Sequence, residues 1–326
     1  MVGDTNTKKV DVPDLSNKEI LVIGGRGFIG QALVRKLVGL KADVVSLART
    51  NSMSARADVG ARQLSADIRD RSALSSVLLG RKFDFVLNAG GYIDHSLFLE
   101  GGRDIIDAHY IGTLNLLEQV FHSDLKGFVQ IGSSDEYGQV SAPQREDQRE
   151  APITPYSAAK AGLSHFIQSL ARTENFPGAV VRLFLVYGPG QDYQRFLPQV
   201  IRGCLANKIF ETSEGTQIRD FCYIDDVVDA ILLAMISKEA HGKVINVASG
   251  EPVTIREVIG KVVSMVGGGK PDFGKIPYRA GENMALYADI KLAKQILGWQ
   301  PAITLDEGLK KTIAWYRGTL KAEESV

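Results

Sequence analysis

The run Ile20-Leu21-Val22-Ile23-Gly24-Gly25-Arg26-Gly27-Phe28-Ile29-Gly30 constrains this chain more than any other stretch. A short apolar segment leads straight into Gly24, Gly27 and Gly30, spaced G-x-x-G-x-x-G, and then into an amphipathic helical pattern. Such glycines answer three demands: a tight turn, close approach of backbone N–H groups to a pyrophosphate, and close packing of helix on strand. Glycines also punctuate ordinary turns, but the strand before and the helix after supply the context a dinucleotide site needs. Phe28 and Ile29 then fall in the first helical turn, beside the bound cofactor.

Strand-like runs alternate with longer helical ones along the first half of the chain. The strands are expected at Glu19–Ile23, Asp43–Leu47, Arg62–Ser65, Phe83–Asn88, Gly127–Ile131 and Ala179–Phe184, with helices near 28–40, 70–79, 101–122 and 153–175. This rhythm predicts an α/β fold: a Rossmann-like, doubly wound parallel sheet covered by helices on both faces. After Gly188-Pro189-Gly190 the spacing loosens, which predicts a smaller α/β substrate-binding lobe. The expected boundaries are a loose N-terminal extension over 1–17, a dinucleotide-binding domain over 18–185, and a second lobe from 186–243 and 250–320. Val244–Val247 is expected to return to the main sheet, so that 244–249 belongs with the first domain. Lys321 to Val326 reads as a frayed tail.

Composition narrows the classes of partner. The 326 residues are 44% hydrophobic, enough for one large unit or two intimate lobes. Lysine plus arginine and aspartate plus glutamate are both 38, so net charge argues for neither nucleic acid nor an anionic membrane. Cys204 and Cys222 cannot form a disulfide framework, which fits a cytoplasmic setting. No apolar run reaches the roughly 18 residues of a membrane span. His95, His109, His122, His165 and His241 show no ligand spacing, so no metal site is expected.

The second strand ends at Ala48-Arg49. An NAD site usually places an acidic residue here for the ribose 2′-OH. A guanidinium suits a 2′-phosphate instead, so Arg49 favours NADP(H) over NAD(H). Asp67 and Ile68 end the third strand and are candidates for the adenine, Asp67 having the alternative of capping the helix that begins near Asp70. Ala89 and Gly90, after the fourth strand, would let the backbone pass close to the cofactor.

Pro155-Tyr156-Ser157-Ala158-Ala159-Lys160 places a tyrosine and a lysine on one face of a helix. Tyr156 is the candidate acid/base. A free phenol titrates near 10, and an ammonium one turn away is expected to lower that value. The same Lys160 can hold ribose hydroxyls. Ser134, after the fifth strand, is the candidate that orients the substrate oxygen.

These motifs resemble the extended short-chain dehydrogenases/reductases of the nucleotide-sugar epimerase/dehydratase type. The resemblance is carried by GGRGFIG at 24–30, GSSDEYG at 132–138, PYSAAKA at 155–161, RLFLVYGPGQ at 182–191, GTQIRDFCYIDDVVDAI at 215–231, NVASGEPV at 246–253 and LGW at 297–299. It implies a catalytic triad of Ser134, Tyr156 and Lys160. It also implies a nucleotide-diphosphate sugar held in part by Arg219 and Arg279, whose alternative is salt bridging with Asp220 or Glu282, with Phe196 and Leu197 lining the sugar and base pocket or, equally, belonging to the core. A homodimer through the helices at 101–122 and 153–175 is a further implication.

Within that family Asp135-Glu136 is similar to the acid/base pair of the 4,6-dehydratases, which makes both residues candidates for proton transfer. There, however, one more residue separates the glutamate from the Tyr-Gly. The shorter form is similar to GDP-4-keto-6-deoxymannose reductases. The segments at 195–205 and 273–284 are similar to CDP-4-keto-3,6-dideoxyhexose reductases of the abequose type, which implies deoxysugar biosynthesis for lipopolysaccharide O-antigen. The expected activity is therefore NADPH reduction of the C4 keto group of a nucleotide-linked 4-keto-deoxyhexose. A 4-epimerase or 4,6-dehydratase using NAD is the alternative. A dinucleotide sensor without turnover is the non-enzymatic reading, but it predicts a broken catalytic set, and Ser134, Tyr156 and Lys160 are all present.

Overall fold

The computed structural model describes residues 14–49, 60–278 and 281–323. Thirteen strands occur among them: β1 (Glu19–Ile23), β2 (Asp43–Ala48), β3 (Arg62–Ser65), β4 (Phe85–Asn88), β5 (Gly127–Ser133), β6 (Gly178–Leu183), β7 (Leu185–Tyr187), β8 (Ile209–Glu211), β9 (Ile218–Tyr223), β10 (Val244–Val247), β11 (Pro252–Thr254), β12 (Lys270–Asp272) and β13 (Ala285–Leu286). Seven make one parallel sheet in the order β10-β6-β5-β4-β1-β2-β3. The strand order reverses between β1 and β4, which opens a crevice at their carboxyl ends.

Helices α1 (Phe28–Gly39), α2 (Arg71–Leu78), α3 (Gly102–Ile106), α4 (Gly112–Val120), α5 (Pro155–Glu174) and α7 (Ile224–Ile236) cover this sheet, and α6 (Phe196–Leu205) sits beyond it. Alternation along the strands sorts the core into two layers. Ile20 and Val22 of β1 join the layer that contains Leu33 and Leu37 of α1 and Val227 and Ile231 of α7. Leu21 and Ile23 join the other, with Leu74 of α2, Leu116 of α4 and Leu163 and Ile167 of α5.

The smaller lobe is built on β9, which pairs in parallel with β7 and β13 and antiparallel with β11. A separate parallel pair joins β8 and β12. Helices α8 (Ile255–Val266), α9 (Lys291–Leu297) and α10 (Leu305–Glu323) complete it. The LGW motif ends in Trp299, which is 1% exposed and donates its indole N–H to the Asp226 carbonyl at 3.0 Å.

Several expected bounds shift for local reasons. β4 starts at Phe85, just after Asp84, whose backbone bonds Glu19 and Lys126. β5 runs on to Ser133, since Gly132 and Ser133 still pair with Arg182 and Leu183 of β6. The long helix expected at 101–122 is divided: Gly101 (φ 108°) precedes α3, and a π turn at Asp107–Ile111 separates α3 from α4. α5 begins after Thr154, whose hydroxyl accepts from the Ser157 N–H ahead of Pro155 in the first turn, and stops at Asn175 in the left-handed conformation. Residues 1–13 of the expected extension lie outside the described residues. Residues 14–17 are not loose, because Leu15 is buried in the core. The helix α10 continues through residue 323, past the point where a frayed tail was expected.

Replacing Trp299 by alanine removes a fully buried side chain and orphans the Asp226 carbonyl, a loss of about 3–5 kcal/mol. Urea denaturation of Trp299→Ala should show that loss as a lower midpoint, and a midpoint equal to the wild type would refute the core role given to the motif.

Candidate active site

The glycine turn sits at the carboxyl end of β1. Gly24 has φ 73°, and a Cβ on it would lie 2.7 Å from the Ala89 carbonyl and 2.8 Å from the Gly90 Cα. A Cβ on Gly25 would run into the Ser46 hydroxyl of β2, and one on Gly30 into the Gly24 carbonyl. The helix N-cap is Gly27, which offers no side chain to the first-turn N–H groups, and no acidic residue stands in that turn. An uncapped helix N-terminus of this kind suits a pyrophosphate. The turn therefore fits a dinucleotide, with Phe28 and Ile29 half-buried beside it.

The other cofactor candidates surround the same edge. Arg49 is exposed just past β2, and its carbonyl accepts from Ser65. Asp67 does not cap α2. Asp70 does, accepting from the Ala73 N–H, while Asp67 forms a bidentate pair with Arg69 that holds its carboxyl below the usual range. Ile68 packs against Gly112 at the start of α4, and its carbonyl accepts from Asn115. Beneath Ala89 and Gly90, the buried Asn88 amide donates to Gln130 and Thr113, while its oxygen accepts the Gly90 N–H.

Tyr156 and Lys160 rise from the first turns of α5 and are both buried. Lys160 Nζ donates to the Ile131 carbonyl of β5 at 2.8 Å and lies 6.0 Å from the centre of the Tyr156 ring. Burial lowers its ammonium to about 8. Tyr156 departs from expectation. Burial and the negative charge of Asp135 push the phenol up, against the lowering influence of a hydrogen bond with Ser133 and the charge of Arg195. Desolvation of the phenolate outweighs the neighbouring cation here.

The partner hydroxyl is also not the expected one. Ser133, the last residue of β5, hydrogen-bonds Tyr156, while Ser134 is buried at the head of the 3-10 turn Ser134–Tyr137. Because β5 runs to Ser133, that side chain is set by the sheet. Counting back from Tyr137-Gly138 instead of forward from the strand would have found it.

Glu136 is turned into the core. It is fully buried and occupied by the Ser133 N–H, the Ser164 hydroxyl and Arg182 Nε, at 2.7–2.8 Å. Asp135 does face the site: its carboxylate is 3.8 Å from His95 Nε2, and both side chains are about one-third exposed. His95 and His109 stand edge-on to the Tyr156 ring, with centroids 5.8 and 5.0 Å away. His109 reaches it through the π turn, shares a 2.7 Å hydrogen bond with the Tyr92 carbonyl, and is lowered to about 3 by burial. Neither histidine has ligand spacing in the sequence.

In the second lobe Arg219 is bound by Glu282 and the Ile218 carbonyl. Asp220, the other expected partner, is occupied by Ser249, Gly250 and Ala288 N–H groups. Leu197 is a core side chain at 3% exposure, and Phe196 is half-buried at the start of α6. Arg279 lies outside the described residues. A cavity of about 530 Å³ lies on the far side of α5, lined by Glu146, Glu150, Ala158, Gly162 and His165, and no candidate catalytic residue borders it.

A glycine cradle, a buried Tyr/Lys pair and a strand-end serine at one edge of a parallel sheet match a known grouping. The profile of the NAD dependent epimerase/dehydratase family covers residues 20–248. The chain belongs to that family. It is 28% identical to the low-salt glycan biosynthesis protein Agl12 of Haloferax volcanii, over 92% of this chain and 99% of that one. It is 27% identical to dTDP-glucose 4,6-dehydratase 1 of Escherichia coli, over 94% of this chain and 95% of that one. The structure of UDP-glucose 4-epimerase from Thermotoga maritima, which contains UDP-glucose, superposes with a TM-score of 0.84 at 27% identity, over 93% of this chain and 99% of that one. The chain is thus an enzyme-family member with the Rossmann-like fold, among relatives that act on nucleotide sugars.

Gly30→Ala should abolish dinucleotide binding while leaving a folded protein, because the added methyl meets the Gly24 carbonyl and displaces the turn. Titration calorimetry with NADH and NADPH checks it. Binding at wild-type affinity would mean that the turn is not the cradle.

Proposed function

We propose that this protein reduces the C4 keto group of a nucleotide-linked 4-keto-deoxyhexose. The observation that carries the reading is the buried Tyr156 phenol, pushed up by burial, beside Ser133 and Lys160, in a site where Glu136 is withdrawn into the core. A phenol that keeps its proton is a donor, which ketone reduction requires. Elimination of water across two adjacent carbons asks for two carboxyl groups. Counted from Ser133, the run to Tyr137-Gly138 has the dehydratase length, with Ser134 in the place of its aspartate and Asp135 in that of its glutamate. One carboxylate of the pair is therefore replaced by a hydroxyl.

In this mechanism the α1 N-terminus and Gly24–Gly30 hold the pyrophosphate, and Arg49 meets a 2′-phosphate, which favours NADP(H) within a family described as NAD dependent. When bound, the nicotinamide supplies a hydride to C4. Ser133 and Tyr156 hold the C4 oxygen, the C=O double bond becomes a C–H and an O–H bond, and Tyr156 gives the proton. Lys160 carries the ribose and steadies the resulting phenolate, which regains its proton from solvent. Arg219 exchanges Glu282 for the diphosphate, and Phe196 meets the sugar nucleotide. A homodimer through α4 and α5, and a place in the cytoplasm, belong to the same reading.

A 4-epimerase is the second reading. It is favoured by the likeness to a UDP-glucose 4-epimerase and also needs no second carboxylate.

The test is purified protein with NADPH or NADH and a 4-keto sugar generated by a dehydratase, followed at the nicotinamide absorbance. Stoichiometric oxidation of NADPH is expected. Turnover of a UDP-hexose without net oxidation would replace the reductase by the epimerase. Tyr156→Phe should lower kcat by about 10²–10⁴-fold. Retention of full activity in that variant would remove the phenol from the mechanism.

The pH profile has a definite sign. Lys160, at about 8, loses its charge as pH rises through that value, so kcat should fall above it. His109, at about 3, stays neutral from acid to alkaline assay conditions and adds no limb near pH 6. A kcat still flat at pH 10 would contradict a required ammonium.

A further inference from the structure

Glu136 has no part in the hydride chemistry, yet it is the most completely engaged carboxylate near the site. It joins three elements. Its Oε1 accepts the Ser133 N–H at the end of β5 at 2.8 Å, and its Oε2 accepts the Ser164 hydroxyl of α5 at 2.7 Å and Arg182 Nε of β6 at 2.8 Å. Gly132 makes the seat, since a Cβ there would stand 2.6 Å from Glu136 Oε1. Arg182, also fully buried, lies with its guanidinium 4.6 Å from the centre of the Tyr137 ring and continues to Glu150, which meets His165 at 3.2 Å on the outer side of α5. Tyr137 in turn donates to Asn246 of β10 at 2.8 Å.

Ser133 and Ser164 bind the same carboxylate, and Ser164 is on the helix that carries Tyr156 and Lys160. The distance between the strand-end hydroxyl and the phenol is thereby set through one buried group. We propose that Glu136 is a positioning residue, clamping the Ser133 turn against α5 so that Ser133, Tyr156 and Lys160 meet in a single reactive geometry, with Arg182 as its buried counterion. This inference rests on the reading of Tyr156 and Lys160 as the reacting pair.

The clamp has an electrostatic consequence that a purely structural contact would lack. The negative charge of Glu136 raises both Tyr156 and Lys160. The other titratable or charged groups facing the pair are Asp135, which raises the phenol, Arg195, which lowers it, and the neutral His109 and part-exposed His95 edge-on to its ring. Removing the charge of Glu136 must therefore move both groups down.

The test compares Glu136→Gln and Ser164→Ala with the wild type. Glu136→Gln should lower kcat by about 10²-fold through misplacement of the hydroxyl. KM for the sugar and for NADPH should stay nearly constant, and the alkaline limb of kcat should move to lower pH. Ser164→Ala leaves the charge in place and adds no unpaired ion. It should lower kcat by about tenfold with the limb unmoved, and it keeps the proposal falsifiable if Glu136→Gln fails to fold. A folded Glu136→Gln with wild-type kcat and an unmoved limb, or a folded Ser164→Ala with wild-type kcat, overturns the clamp. A readout independent of turnover is the ¹³Cζ signal of Tyr156 in tyrosine-labelled protein, assigned with Tyr156→Phe. Its titration midpoint should fall in Glu136→Gln, and an unchanged midpoint counts against the clamp. If the wild type oxidises NADPH with no 4-keto sugar, the proposed reaction fails while the tyrosine titration still decides the role of Glu136.

Discussion

Backbone passing backbone with no side chain between them is the constraint on which this architecture turns. At the crevice, Gly24 touches Ala89 and Gly90 of the neighbouring strand end, and Gly30 on α1 folds back on Gly24. A methyl group at either point would displace the turn that joins β1 to α1. Once they are together, the carboxyl ends of β1, β2, β4 and β5 share one edge, and each brings its own group there: the cradle, Arg49, the Asn88 network and Ser133. Gly91 repeats the device at φ 119°, because only the missing side chain lets the His109 ring lie against it. His109 then reaches Tyr156. Function at this edge follows from glycine positions more than from the chemistry of any one side chain.

The second organising feature is a charge in the wrong place. β6 is apolar and buried on both faces except for Arg182. Burying a guanidinium is costly unless carboxylates accompany it, and removing one partner of such a pair costs about 3–5 kcal/mol. Arg182 has two, Glu136 and Glu150, arriving from the catalytic turn and from the stretch before α5. Apolar residues of the same volume could hold the fold as well. What they could not do is place three donors on one carboxylate, from three different elements. The ionic chain thus gives specificity of geometry where stability alone would have accepted leucines.

Much of this was legible in the order of residues, and the failures have a common cause. β1, β3 and β10 fall where periodicity and turn chemistry put them, since their alternation is set by the two-layer core. The glycine cradle was legible because a missing side chain leaves a fixed spacing. Ser134 was mistaken for Ser133 because the strand was cut short at Ile131, and two residues of extra pairing to Arg182 and Leu183 are a tertiary matter. Glu136 was read with its neighbour Asp135 as a candidate pair for proton transfer. Only Arg182, 46 residues away, makes it structural. That arginine inside an apolar strand was the available signal: a buried cation requires a buried anion somewhere in the chain. The π turn that aims His109 left no trace in composition.

The state of Tyr156 shows why proximity in sequence is a poor guide to charge. One helical turn separates it from Lys160, and in water that ammonium would favour the phenolate. Inside the protein both groups are desolvated, and desolvation works against the charged form of each: the phenol rises and the lysine falls. Lys160 donates its ammonium to the Ile131 carbonyl, and Ser133 is a hydrogen-bond partner of the phenol. Burial thus favours the protonated phenol and the uncharged amine. Once the proton has left, the phenolate stands in a buried site where Ser133 is its neighbouring hydroxyl and Lys160 the buried cation one turn away, so the lysine stabilises the product of the transfer more than its starting state.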